Sequence, residues 1–421
     1  MISATEVREI QSIIRELFLA DKIPWVIGYS GGKDSTATLQ LVWYALRELP
    51  DGKRRHKEVH VISTDTQVEQ PVIAHWVSQS LKLMEAAAER DNLPFVPHRL
   101  FPKSDNTYWV NLIGRGYPAP RRLFRWCTSR LKIEPSNRFI LDVVKTHGET
   151  ILVLGTRKSE SAQRAANMER YEKQRIRKWL SPNASLANSY IFTPIEDWTT
   201  DDVWVYLMQY DNPWGCTNKD LLSMYRGASE DNECPLVVDT STPSCGNTRF
   251  GCWVCTLVAR DKSMEAMIRN DLEHSWMKYL LEFRDFIANT NDDGWIDDRD
   301  RRDYRRANGT IKLKNGRAIP GPYLKPFREE LLTRLLKIQE LVKDIAPREL
   351  GTIELITLEE LREIREIWVL EKHEFDDALP RIYEEVTGRK YPYIGDLPTS
   401  ALGQEEWSIL EVIRSSLSAQ Q

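Results

Sequence analysis

Residues 24–35 read PWVIGYSGGKDS. The first half, PWVIGY, is a short apolar run of the kind a buried strand uses. It passes directly into Ser30-Gly31-Gly32-Lys33-Asp34-Ser35, and residues 35–48 then carry a helical pattern. Glycines let a backbone approach a phosphate with no Cβ in the way. The start of a helix adds unpaired N–H groups and a positive dipole end. Ser30 and Ser35 supply hydroxyls for phosphate oxygens, and Lys33 supplies charge. The alternative is an ordinary strand-to-helix turn, but strand, serines and helix all agree with phosphate binding. The spacing is not the GxxxxGK[ST] of the ATPase P-loop.

Working outward, the same alternation continues. Strand-like runs lie at 58–63 (EVHVIS), 95–100, 151–154 (ILVL) and 191–195, and helical patterns at 72–89, 139–144 and 201–210. Val7, Ile10, Ile13, Ile14 and Leu17 recur at helical spacing ahead of them. This predicts an α/β fold, a mostly parallel open sheet with helices on both faces. Near Cys216 the alternation stops. The expected organisation is a nucleotide domain at 1–215, a cysteine-rich segment at 216–260, and a helical region at 261–421. That last region has helices expected at 261–288, 325–343, 357–371 and 404–417, and a basic loop at 294–328.

Composition narrows the class. The 421 residues are 41% hydrophobic and 29% charged, with a net charge of −4. No apolar run approaches the roughly 18 residues of a membrane helix, and the N-terminus lacks the pattern of a secretory signal. Six cysteines are too few for a disulfide scaffold in a chain this long. The expected compartment is the cytoplasm. Any contact with nucleic acid has to come from local basic patches.

Cys234, Cys245, Cys252 and Cys255 form C-x₁₀-C-x₆-C-x₂-C. Cys-x₂-Cys places two thiolates on one turn, and two more complete a four-ligand set. Spacing leaves tetrahedral zinc and an iron–sulfur cluster both open. A disulfide pair is disfavoured in a reducing compartment.

SGGKDS resembles the signature loop of the PP-loop ATP pyrophosphatases, and further elements resemble their 3′-phosphoadenylylsulfate (PAPS) reductase-like branch. These are Thr64-Asp65-Thr66-Gln67-Val68-Glu69, then Gly155-Thr156-Arg157-Lys158-Ser159-Glu160-Ser161 with Arg164, then Pro194-Ile195 through Asp202-Val203-Trp204. The resemblance implies ATP and Mg²⁺ as cofactors, with cleavage between the α and β phosphates. It implies nucleotide binding by Ser30, Gly31, Gly32, Lys33, Asp34, Ser35, Asp65, Gly155 and Arg157. Ser30, Lys33, Asp34 and Asp65 are the implied catalytic positions beside Cys127. Asp65 also reads as a helix cap, Arg157 as a surface ion pair, and Asp197 and Trp198 as structural residues.

Residues 233–256 (ECPLVVDTSTPSCGNTRFGCWVCT), with Gly294-Trp295-Ile296-Asp297 and Gly321-Pro322-Tyr323, are similar to the DndC family of DNA phosphorothioation and the related SspD proteins. That likeness implies a 4Fe–4S cluster on Cys234, Cys245, Cys252 and Cys255. It implies DNA as substrate, a cysteine desulfurase as sulfur donor, and other phosphorothioation proteins as partners. Rival readings are a PAPS or adenylylsulfate reductase, a tRNA thiolase, and a non-catalytic nucleotide-binding iron–sulfur scaffold. No cysteine follows Cys255, which counts against a reductase that uses a C-terminal cysteine.

Cys127 stands in Arg125-Trp126-Cys127-Thr128-Ser129-Arg130-Leu131-Lys132, similar to an RWCTxxLK element of the same relatives. Arg121, Arg122, Arg125 and Arg130 lie close in sequence, so a thiolate able to carry sulfur is expected there, against a buried structural thiol. Cys216 reads as structural. Residues 115–132 hold six basic and no acidic side chains, 164–178 form another basic run, and 294–328 carry six more basic than acidic side chains. Aromatic residues interleave the first and last runs. Such runs neutralise and stack on nucleic acid, or simply form solvated faces.

Overall fold

The computed structural model describes residues 2–175, 177–228, 250–291, 296–306, 309–393 and 395. Cys234, Cys245, Gly294, Trp295 and the helix expected at 404–417 lie outside them. The chain packs as two units. One comprises 1–108, 119–298 and 342–353; the other comprises 109–118, 299–341 and 354–421. Neither division falls at 215/216 or 260/261. Residues 250–298 belong to the unit that holds the sheet.

In the first unit, α1 (Ala4–Ala20) opens with a Ser3/Glu6 capping box. β1 (Trp25–Gly28) feeds through the glycine loop into α2 (Lys33–Arg47). Then follow β2 (Val59–Thr64), α3 (Pro71–Arg90), β3 (Phe95–Leu100), α4 (Glu134–His147) and β4 (Thr150–Val153). Proline stands in the first turn of α3 and of α4, where its missing N–H costs nothing. α5 (Ala162–Glu172), β5 (Ser181–Pro182), β6 (Ser189–Phe192), α6 (Thr200–Gln209) and α7 (Asn218–Ala228) follow.

The sheet order is β3-β2-β1-β4-β6-β5, parallel throughout except for β5 against β6. Trp25 pairs with Val59 on one side and with Ile151 on the other. The alternation of side chains along β1 splits the core. Trp25 and Ile27 face a large cluster with α1, α2, α3 and α6 residues, while Val26 faces a smaller one with Ile140 and Val143 of α4. The expected α/β sheet, covered on both faces, is therefore what forms. The chain reverses direction across the sheet between β1 and β4, and open α/β sheets bind ligands at that switch point. The glycine loop leaves β1 there.

The helix expected at 261–288 is broken. α8 (Lys262–Asn270) ends before a 3₁₀ turn, Leu272–Met277, and α9 (Lys278–Ala288) follows. The physical cause is Asp271, an extended residue whose carboxylate accepts from the Glu273 N–H.

In the second unit β7 (Leu313–Lys314) and β8 (Arg317–Ala318) form a hairpin ahead of α10 (Lys325–Ile345), α11 (Leu358–Glu366) and α12 (Ala378–Thr387). Two buried indoles pin its interior: Trp109 Nε1 donates to the Leu355 carbonyl at 2.6 Å, and Trp368 Nε1 to that of Ile113 at 3.0 Å. Among the described residues no helix is long and apolar enough to cross a membrane.

Gly155 marks where the loop after β4 meets the start of α2. A Cβ there would lie 2.7 Å from the Asp34 carbonyl oxygen and 2.8 Å from its carbon. Backbone cannot yield as a side-chain tip does. Gly155→Ala is expected to cost about 1–3 kcal/mol of stability, the usual penalty of overpacking, measured by chemical denaturation. An unchanged midpoint would contradict this close approach.

Candidate active site

The glycine loop is closed by its own serines. The Ser30 N–H donates to Ser35 Oγ at 3.2 Å, the two hydroxyls lie 3.1 Å apart, and Ser35 Oγ donates to the Gly32 carbonyl at 3.0 Å. Gly31 has φ +79° and sits so close to α3 that a Cβ would fall 2.5 Å from Val77 Cγ2. Trp76 Nε1 donates to its carbonyl at 3.1 Å. Glycine is therefore required at 31 by both conformation and space.

Behind the loop lies a buried ion pair. Arg157 Nε is 2.6 Å from Asp34 Oδ1, and Lys33 Nζ is 3.5 Å from Asp34 Oδ2. All three side chains are buried. Arg157 Nη1 also donates to Ser159 Oγ at 2.8 Å and to the Trp198 carbonyl at 3.4 Å. Arg157 is thus neither a surface residue nor part of the pocket wall; it locks the start of α2 to the loop after β4. Glu160 lies alongside, accepting from the Arg157 N–H at 2.8 Å and pairing with Arg164. Burial raises the Glu160 carboxyl pKa, while the Arg164 charge opposes the shift. Asp197 is exposed and pairs with Lys158 at 2.8 Å, and Trp198 is buried, both consistent with structural roles.

The pocket at the carboxyl edge of the sheet is lined by Tyr29, Ser30, Gly31 and Gly32, by Ser63, Thr64 and Glu69, and by Lys132. Ile73, Leu221, Met224, Tyr225 and Phe250 form an apolar side, and Gly251 completes it. Asp65 does not line it. Both its oxygens are engaged: Oδ2 accepts from Arg99 Nη2 at 2.6 Å, and Oδ1 from the Gln67 N–H at 2.8 Å. The acidic side chain on the pocket wall is Glu69, from the same TDTQVE element.

Tyr225 was not foreseen. Its hydroxyl accepts from the Lys33 N–H at 3.3 Å, one of the orphan donors of the first turn of α2. Lys33 Nζ stands 5.0 Å from its ring centroid, and Phe250 meets the ring edge-on at 4.8 Å. The signal was present in Leu221, Met224 and Tyr225, spaced as one helical face.

The cysteine turn is clipped onto the loop after β2. The Gln70 N–H donates to the Gly251 carbonyl at 3.1 Å, and the Trp253 N–H to that of Val68 at 3.0 Å. Thr66 Oγ1 lies 3.3 Å from Cys252 Sγ, and the Cys255 N–H closes the turn on the Cys252 carbonyl at 3.0 Å. Arg284, fully buried on α9, donates to the carbonyls of Cys255 (2.9 Å), Val258 and Ala259 (2.8 Å). Two thiols on one braced turn fit two ligands of the implied cluster. Among the described residues no group of three or more His, Cys, Asp or Glu gathers at metal-binding distance.

Cys127 packs close enough to this turn that charge on Cys255 or Cys252 would oppose its ionisation. The expected thiolate is not what the structure favours. Burial pushes the Cys127 thiol up to about 12, the two cysteines add to this, and a hydrogen bond with Thr128 and the Lys132 charge oppose it. Two of the four arginines near it in sequence are engaged elsewhere: Arg121 pairs with Asp298 at 2.6 Å, and Arg130 with Asn106. Cys252 is likewise raised, to about 11, chiefly by burial. Cys216 packs against the core with its sulfur 3.2 Å from Ser80 Oγ, a structural position as expected.

Residues 24–257 match the phosphoadenosine phosphosulfate reductase domain, more than half of the chain, and the protein belongs to that family. An uncharacterized protein of Methanocaldococcus jannaschii is 24% identical over 284 residues, covering 67% of this chain and 46% of that protein. The chain thus spans about half the length of that relative. Among solved structures, PAPS reductase from Candida auris in its phosphate complex is similar at 13% identity and TM-score 0.31, over 55% of this chain and 96% of that one. The U34-tRNA thiolase NcsA from Methanococcus maripaludis, with its [4Fe-4S] cluster, is similar at 16% identity and TM-score 0.31, over 53% and 73%.

A thiol pushed up to about 12 is protonated at neutral pH. Only about one part in ten thousand is thiolate at pH 8. Iodoacetamide labelling of Cys127 in the native protein, read by peptide mass spectrometry, is expected to climb about tenfold per pH unit up to pH 10. A plateau below pH 9 would show a stabilised thiolate instead.

Proposed function

We propose that the protein is an ATP-dependent sulfurtransferase of DNA phosphorothioate modification. The observation that carries this reading is the meeting of the glycine loop and the cysteine turn at one pocket. Gly251, next to Cys252, lines the same wall as Ser30, Gly31 and Gly32. That proximity supports a reading in which phosphate activation and sulfur delivery occur at one pocket. The likeness of residues 233–256 to the DndC family adds the substrate: a DNA backbone phosphate.

In this reading the loop N–H groups and Ser30 hold the ATP phosphates, and Glu69 faces the Mg²⁺ that accompanies them. A non-bridging DNA phosphate oxygen attacks the α-phosphorus, and the bond to pyrophosphate breaks. The DNA phosphorus now carries AMP as its leaving group. The terminal sulfur of a persulfide, supplied by a cysteine desulfurase, attacks that phosphorus. A P–S bond forms, the P–O bond to AMP breaks, and AMP leaves. A second thiolate then attacks the carrier's sulfur in the S–S link. The phosphorothioate is released with its negative charge, and the two thiol sulfurs become a disulfide that cellular thiols reduce. Lys132, on the pocket wall, offsets the charge that accumulates at phosphorus.

Cys252 and Cys255, together with Cys234 and Cys245, are the residues that would hold the implied 4Fe–4S cluster. When bound it would supply a redox-active, sulfur-rich centre beside the pocket. Other phosphorothioation proteins are the expected partners, and the cytoplasm, where thiols stay reduced, is the fitting compartment.

With ATP, Mg²⁺ and duplex DNA, purified protein is expected to form AMP and pyrophosphate. Ser30→Ala should lower that turnover about tenfold or more by loosening the reacting group. ADP as the main product would overturn the reading. Sulfite release from PAPS would assign the pocket to a reductase, and stimulation by tRNA but not by DNA to a tRNA thiolase.

A further inference from the structure

The second unit carries an exposed two-stranded hairpin. β7 and β8 pair Leu313 with Ala318 and Lys314 with Arg317. The turn between them is Asn315-Gly316, with φ +51° and +74°. Positive φ at both central residues is the type I′ turn that suits the twist of a two-stranded ribbon. The ladder continues outward through the Ile319 N–H to the Lys312 carbonyl at 2.8 Å and an Arg305–Ile311 bridge. Every residue from 309 to 318 is exposed.

Two-residue periodicity sorts the side chains. Lys312, Lys314 and Arg317 share one face; Ile311, Leu313 and Ala318 share the other. Lys314 and Arg317 stand directly opposite each other, a like-charge cross-strand pair that weakens a ribbon in water. Ile311 and Leu313 are 51% and 62% exposed. An isolated two-stranded ribbon is marginal to begin with. Both the charge pair and the solvated aliphatics cost stability here, and a bound polyanion offsets the first directly. Residues 304–320 hold five basic side chains and no acidic one.

We propose that this ribbon is a DNA-binding arm, its Lys312, Lys314 and Arg317 face turned toward duplex DNA. The major groove of B-form DNA, about 12 Å wide, admits a two-stranded ribbon. The major groove of an RNA duplex is too deep and narrow to be read by side chains. The inference rests on the phosphorothioation reading for the identity of its polyanion, but not for its geometry.

The test uses the full chain and a fluorescein-labelled DNA duplex, with anisotropy measured from 50 to 200 mM KCl. Replacing Lys312, Lys314 and Arg317 together by Ala is expected to weaken binding at least about tenfold. It should also reduce the slope of log affinity against log salt by about 2.7, or 0.9 per lost phosphate contact. A companion variant, Lys312→Arg with Lys314→Arg and Arg317→Lys, keeps the charge and should keep both values. Equal affinity and slope for wild type and the alanine variant would overturn the arm while leaving the DNA reading intact. No DNA binding by the wild type would overturn both. Tighter binding to an RNA duplex than to DNA would overturn the choice of partner.

Discussion

The site depends on one buried interaction, the contact between Asp34 and Arg157. Asp34 is the second residue of α2, directly behind the glycine loop, and Arg157 follows β4. With Lys33 also buried against Asp34, three charges sit in the interior at the head of the sheet. Removing one partner from such a pair leaves an uncompensated buried charge, at a cost of about 3–5 kcal/mol. The pair therefore sets the distance between the loop that leaves β1 and the loop that leaves β4. Gly155 makes that distance attainable, because any side chain there would strike the Asp34 backbone. Ser159 and the Trp198 carbonyl extend the lock to the start of α6. Arg157 acts on the pocket by holding the frame on which the pocket is built.

A second constraint joins the cysteine turn to the frame. Residues 251–253 pair with residues 68–70, and Arg284 gathers the three carbonyls that follow. The pocket and the cysteine turn share a wall because one stretch, residues 63–70, serves both: Ser63 and Thr64 end β2 at the pocket, Glu69 lines it, and Val68 and Gln70 clip the turn. Burial raises the Cys127 and Cys252 thiol pKa values. In such surroundings, ionisation has to be coupled to metal binding or to the arrival of a partner.

The sheet was legible because its central strands, β1 and β4, are buried on both faces and so read as short apolar runs, and helical periods separate the strands. α7 was not legible: NKDLLSMYRGA is polar on most of its surface, and only Leu221, Met224 and Tyr225 reveal its inner face. The glycine loop was recognisable as a local motif, but the partners of its neighbours were not. Asp65 and Arg157 are held by Arg99 and Asp34, residues 34 and 123 positions away along the chain. Cys127 shows the same limit from the other side. Four arginines lie near it in sequence, yet Arg121 and Arg130 are held by Asp298 and Asn106, and the thiol itself is enclosed. Sequence proximity is a poor guide to electrostatics once side chains choose tertiary partners. Glu69 and Lys132 stood inside elements already recognised, but only the folded chain turns them toward the pocket.

In the proposed function a glycine loop and a cysteine turn cooperate to put sulfur on a DNA phosphate. Its most direct test is mass spectrometry of nuclease-digested DNA from a phosphorothioating host, with the native protein replaced by this chain or by its Ser30→Ala variant. Phosphorothioate-linked dinucleotides are expected with the intact chain and none above background with the variant. Equal amounts in both, or none with either while the partner proteins are present, would contradict it.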